Sequence, residues 1–152
     1  MKELQVRWLG RREYRETVAL QEELVHQRRA GKIADTLLLL EHEAVITVGR
    51  GHGPPASPPA PLPRSAPLRS AGGGTAMSGD DNGDGLPVVE TSRGGEATYH
   101  GPGQLVAYPI VDLRQWRRDL HWYLRQLEAA GVQTLRQLGV EAGNRPGYTG
   151  VW

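Results

Sequence analysis

The residues of this chain best equipped for chemistry lie in one run, RGGEATYHGPGQ, from Arg93 to Gln104. Arg93 is a permanent cation. Gly94 and Gly95 let the backbone take positive φ and come close to a bound molecule. Thr98, Tyr99 and His100 read as extended, and Gly101-Pro102-Gly103 then turns the chain sharply. Gln104 brings both a donor and an acceptor. A hairpin needs only roughly two to five turn residues, so this vocabulary is richer than a reversal requires. The residue types leave two readings open: a glycine-rich turn, or a surface that holds a ligand with His100 and Arg93 orienting its polar end. No serine nucleophile elbow, paired-carboxylate signature or metal cluster stands elsewhere in the sequence.

Other motifs carry less. Asp80-Asp81-Asn82-Gly83-Asp84-Gly85 fits the opening of a calcium loop, but the twelfth position is Thr91 and Glu90 comes one place early. It reads as a solvated acidic turn. Gly49-Arg50-Gly51-His52-Gly53 follows an apolar run, where a phosphate loop would stand, yet no helix pattern opens behind it. His42, between Glu41 and Glu43, has no partner at metal-ligand spacing and reads as a hydrogen-bonded turn histidine. His26 and His121 fall in helical patterns. No metal site and no cofactor are expected.

With 18 basic and 17 acidic residues the formal charge is +1, which argues against a dedicated nucleic-acid surface, where clustered Lys and Arg face phosphates. There is no cysteine, so neither a disulfide framework nor a thiol nucleophile is available within these residues. The N-terminus reads as a charged strand without a signal peptide's apolar core. Leu37–Leu40, the longest apolar run, is too short to span a bilayer. A cytoplasmic protein, with no nucleic acid or membrane among its partners, is expected.

The positioning elements follow from periodicity. Leu4, Val6 and Trp8 alternate with polar residues at strand period. From about Glu13 to Arg28, Tyr14, Val18, Gln21 and Leu24/Val25 recur at helical spacing, with Gly31 as the stop. Thr36–Leu40 and Ala44–Val48 read as strands. Between 53 and 86 the chain is Pro/Gly-rich and aperiodic, which predicts a disordered insertion. Order resumes at Pro87. Leu105–Val111 reads as a strand. Asp119 caps a helix with Leu120, Leu124, Leu127 and Leu138 broadly on one face, Gly131 admits a close neighbour, and Gly139 ends it. Val151-Trp152 looks like the start of another strand. The expectation is an α+β fold, a mixed sheet with packed helices, over one incomplete domain, 1–152, lacking its last strands.

The order of motifs resembles the lipoyl(octanoyl) transferase family. RGGEATYHGPGQLVAYPIVDL is similar to that family's signature segment, LLLLEHEAVITVGR to its upstream strand–turn–strand, and YLRQLEAAGVQTLRQLGVEAGNRPGYTGVW to its helix and following loop. The likeness spans about 1–52 and 87–152. It implies the class II biotin/lipoate transferase-ligase fold and an acyltransferase of lipoate biosynthesis. The octanoyl donor would be octanoyl-acyl carrier protein. The acceptors would be lysines on the lipoyl domains of 2-oxoacid dehydrogenases and on the glycine cleavage H protein. The family's substrate-binding segment falls on Arg93, Gly94, Gly95, Glu96, Ala97, Thr98, Tyr99 and His100, with Glu96 where the family usually has Gln. The family's catalytic lysine and cysteine lie beyond the segment matching Gly150-Val151-Trp152. The resemblance therefore implies no catalytic residue in this chain, a truncated sequence, and no thioester formed by it. Two alternatives accompany this reading: an ATP-dependent lipoate or biotin ligase relative, and a non-catalytic binder of acyl carrier protein or lipoyl domains.

Overall fold

The computed structural model describes residues 3–49, 85–94 and 97–152. The GRGHG run after Gly49, the acidic turn before Gly85 and the expected insertion up to residue 84 lie outside the described residues. The chain divides into two compact units, Met1–Ile110 and Val111–Trp152.

The first unit runs β1 (Leu4–Arg12), α1 (Tyr14–Arg29), β2 (Asp35–His42), β3 (Val45–Gly49), β4 (Val88–Thr91), β5 (Thr98–His100) and β6 (Val106–Ile110). These form two three-stranded sheets, ordered β1-β2-β6 and β4-β3-β5. In each, the central strand has one parallel and one antiparallel neighbour. The mixed sheets and packed helix make this an α+β protein.

Helix α1 begins because the Glu13 carboxylate accepts the Glu16 N–H at 2.7 Å, setting a negative charge on the positive end of the helix dipole. It ends in a basic turn containing Arg28 and Arg29, and Gly31 at φ 71° takes the left-handed turn that follows. Arg28 and Asp35 form a nearly buried ion pair at 2.6 Å, tying the helix end to the start of β2. Losing either partner would strand a buried charge, so the pair fixes how helix and strand meet.

Strand β2 organises the core. Thr36, Leu38, Leu40 and His42 point inward at strand period and are fully buried. Leu38 and Leu40 pack with Leu24 and Ile110, flanked by Leu9, Val25, Ile33, Val106 and Tyr108. The alternation in β1 predicts a strand, and a strand forms, but Leu4, Val6 and Trp8 are exposed. The parallel register sets Val6 beside Leu37 and Trp8 beside Leu39, on the face of the sheet opposite the inward row.

In the second unit a short 3-10 turn (Leu113–Gln115) precedes α2 (Leu120–Gln137). The Asp119 carboxylate caps α2 by accepting the Trp122 N–H at 2.9 Å. Leu120 and Leu127 on this helix, and Leu138 at its C-cap, are exposed. Glu128 is buried and fully engaged. It accepts from Gly150 N–H at 2.8 Å and from Asn144 Nδ2 at 3.0 Å, and Arg125 closes the set. The Gly150 bond, then Arg125, hold its carboxyl below the usual range despite burial. Gly131 does admit a neighbour: a Cβ there would lie 3.1 Å from Val151 Cγ2. Val151-Trp152 does not start a strand. Gly147 and Gly150 take positive φ and fold the chain back, so Trp152 exchanges two backbone hydrogen bonds with Gly143 at 2.8 and 2.9 Å. Glu128→Ala should release this loop, seen as much faster solvent exchange of the Gly150 amide. Unchanged exchange would mean the Gly143–Trp152 pair alone holds it.

Candidate functional site

The site is built in the first unit from the inward ends of five elements. Thr47, buried on β3, faces Thr98 on β5, and Val45 faces His100. Arg93 follows β4 and lays its guanidinium on β3. Its Nη2 donates to the Thr47 carbonyl at 2.9 Å and to Thr47 Oγ1 at 2.8 Å, while Nη1 donates to the Gly94 carbonyl at 3.1 Å. One cation thus fastens the glycine segment to the sheet and also holds the threonine hydroxyl.

His100 ends β5. Its Nδ1 lies 2.7 Å from Gln104 Oε1, and its Nε2 lies 3.3 Å from Thr47 Oγ1. The turn between β5 and β6 makes this possible. Gln104 N–H closes it on the Gly101 carbonyl at 3.1 Å, and Gly103, at φ 87°, donates its N–H to Glu41 Oε2 at 2.9 Å. Gly101 has a separate reason to lack a side chain: a Cβ there would come within 2.7 Å of Tyr99 Cζ. The expected turn is therefore also a clamp that packs Tyr99 and orients His100.

His42 and Tyr108 complete the cluster. The Arg12 carbonyl, 3.2 Å from His42 Nδ1, can only accept, so Nδ1 carries the proton. Nε2 then accepts the Tyr108 O–H at 2.8 Å. Burial, then nearby His100, drive the His42 pKa down against the opposing pull of the Arg12 carbonyl and Glu13. Burial, reinforced by Tyr14, pushes the Tyr108 hydroxyl up to about 12. The Tyr14 ring, at the start of α1, is tilted against His42 at 5.1 Å and stacked on His100 at 6.2 Å, and the two imidazoles meet edge-on at 5.8 Å. Burial also raises the Tyr14 pKa, partly offset by Arg93. The result is an aromatic, part-buried cluster in which the Arg93 cation and the polar atoms of Thr47, His42, His100 and Tyr108 hold fixed positions. It can orient a carbonyl, amide or amine head group; among the described residues it offers no cluster of metal-ligating side chains.

Of the residues anticipated from sequence, Arg93, Gly94, Ala97, Thr98, Tyr99 and His100 are described, and Gly95 and Glu96 lie outside the described residues. Arg93 and His100 meet through Thr47. Gly94 is exposed, with open space where a side chain would stand. Thr98 contributes its carbonyl, 3.4 Å from Thr47 Oγ1. Sequence reasoning missed Tyr14, Thr47 and Tyr108 as site residues, and took His42 as a turn histidine when it closes the buried row of β2. For His42 a signal existed: it continues the period-two series of Thr36, Leu38 and Leu40. The other three carry no local signal.

Among curated proteins the chain is similar to the octanoyltransferase of Solibacter usitatus, 45% identical over 150 residues, covering 97% of this chain and 59% of that protein. It is 46% identical over 139 residues to the octanoyltransferase of Rubrobacter xylanophilus, covering 91% of this chain and 55% of that one. Against the octanoyltransferase of Geobacter metallireducens it is 40% identical over 149 residues, covering 98% of this chain and 59% of that one. The chain thus spans somewhat more than half the length of these relatives. The family description that matches residues 13–152 is the lipoyl protein ligase A/B catalytic domain; every described element after β1, the glycine segment and the His42–His100 cluster fall within the match, and the chain belongs to that family.

Proposed function

We propose that this chain supplies the acyl-holding part of an octanoyltransferase. The octanoyl group would come from octanoyl-acyl carrier protein and go to a lysine on the lipoyl domains of 2-oxoacid dehydrogenases or on the glycine cleavage H protein. The observation that carries this reading is the segment Arg93–Gln104. It is fastened to β3 through Arg93 and Thr47, yet Gly94 stays exposed beside open space. Backbone without side chains can line a narrow slot for an alkyl chain, while His100 and Thr47 stand where a polar head would be fixed. The names of the relatives favour transfer over ATP-dependent ligation. No described helix is long and apolar enough to cross a membrane, which is compatible with work in the cytoplasm.

Acyl transfer through a thioester needs a thiolate, and these 152 residues contain no cysteine. The proposal therefore gives the chain binding and orientation, not the covalent step. Titration with octanoyl-pantetheine should shift the amide resonances of Gly94, Thr98 and His100, while incubation with octanoyl-acyl carrier protein should leave the protein's intact mass unchanged. Amides that do not respond would remove the acyl site, and a mass gain of one octanoyl group would show a covalent role.

A further inference from the structure

Each ring nitrogen of His100 faces one polar side-chain atom, Nδ1 the Gln104 amide and Nε2 the Thr47 hydroxyl. Gln104 turns its Oε1 to Nδ1 at 2.7 Å and its Nε2 to the Tyr99 carbonyl at 3.4 Å. The reverse amide orientation would oppose two oxygens, since the carbonyl can only accept. Oε1 therefore faces His100, and Nδ1 must carry the proton. Nε2 is left with a lone pair facing Thr47 Oγ1 at 3.3 Å. That hydroxyl already accepts from the Arg93 guanidinium, which can only donate. Its single proton has two acceptors at nearly equal distance, His100 Nε2 at 3.3 Å and the Thr98 carbonyl at 3.4 Å.

We infer that Gln104 is a positioning residue that holds His100 as its Nδ1–H tautomer, and that the Thr47 hydroxyl is a rotor that can turn to Thr98 and release the Nε2 lone pair to a ligand N–H. The rotation strands no proton and moves no backbone, because Arg93 fixes the oxygen while the hydrogen swings. The ligand class this suits is a nitrogen donor, an amine or amide. Its role rests on the acyl-transfer reading, in which the attacking lysine amine is such a donor. The aromatic neighbours allow little other freedom: Tyr14 stacks on the His100 ring and His42 meets its edge.

The tautomer is read directly by two-bond nitrogen–proton correlation in the full 152-residue chain with labelled imidazoles, at a pH where His100 is neutral, with His100→Gln giving the assignment. Free histidine in water prefers the Nε2–H form, so the expected Nδ1–H pattern is not the default. Gln104→Glu keeps an acceptor and should keep Nδ1–H, whereas Gln104→Leu should switch the ring to Nε2–H. Nε2–H in the unsubstituted protein, or Nδ1–H persisting with leucine, overturns the assignment to Gln104. Thr47→Val should leave Nδ1–H in place and move the Nε2 resonance towards that of a bare imidazole nitrogen. An unmoved resonance removes the rotor. None of these readouts involves acyl binding, so their failure and the failure of the proposed function are separable.

Discussion

Leu38→Ala is expected to lower folding stability by about 2–5 kcal/mol, read as a shifted urea midpoint with little change in slope. Leu38 is fully buried in the middle of β2, with Arg7 of β1 on one side and Tyr108 of β6 on the other. Both neighbouring strands are hydrogen-bonded to β2, so the space left by the missing carbons cannot close by strand movement and remains largely a cavity. For a domain whose total stability is about 5–15 kcal/mol, that is a large share. The cavity would open beside Tyr108, whose hydroxyl holds His42, so the histidine resonances should broaden in the same variant. Leu37→Ala, one residue away on the opposite face and only half-buried, should cost clearly less. Equal costs for the two would mean that the inward row of β2 is not the core.

The same row shows how much of this molecule was legible in its sequence. Most strands and both α1 and α2 announced themselves, because period-two and helical patterns are local and glycines mark where they stop. Strand β4 and the 3-10 turn did not, and Val151-Trp152 suggested a strand that does not form. In the Arg93–Gln104 segment the glycines drew notice, but residue types alone left it between a turn and a ligand-holding surface. The structure gives Gly101 its reason in Tyr99 and Gly103 its reason in a positive φ, while Gly94 has no positive φ and no close neighbour. Pattern reading stopped β2 at Leu40, because Glu41 and His42 look like the polar end of a strand. The strand continues because His42 finds a carbonyl at Arg12 and a hydroxyl at Tyr108, partners separated from it by long stretches of chain. Burial of a polar side chain is decided by such partners, and sequence periodicity does not contain them. Thr47 lies on β3, Tyr108 on β6 and Tyr14 at the start of α1, far apart in the chain, so no window of sequence holds the site. The face chosen by β1 was unreadable for a related reason: alternation says that Leu4, Val6 and Trp8 share a side, but only the pairing with β2 says which side that is.

The paired burial of His42 and Tyr108 should appear as a stability maximum with two identifiable flanks. His42 is buried and neutral, with its pKa below the ordinary value of 6.5. The unfolded chain therefore takes up this proton before the folded one, and stability falls as pH drops below about 6.5, with the loss complete below the folded pKa. For Tyr108 the sign is the opposite. Its folded pKa is pushed up to about 12 from 10.0, so the unfolded chain releases the proton first and stability falls between those values as pH rises. Asp119 and Glu128 are held below their ordinary values of 3.8 and 4.5, so their own losses set in as pH falls through those values, well below the onset for His42. The His42 flank is thereby separated from them in a thermal-unfolding series. His42→Gln, which retains a donor for Arg12 and an acceptor for Tyr108, should abolish the flank that begins near 6.5 and leave the carboxylate one. Tyr108→Phe should shrink the alkaline flank to the part due to Tyr14, whose pKa burial also raises, and, by leaving His42 Nε2 buried without a donor, cost about 1–3 kcal/mol at neutral pH. A neutral-pH cost near zero would show that water reaches Nε2. An acid flank that survives His42→Gln would show that His42 is not the group whose burial sets it.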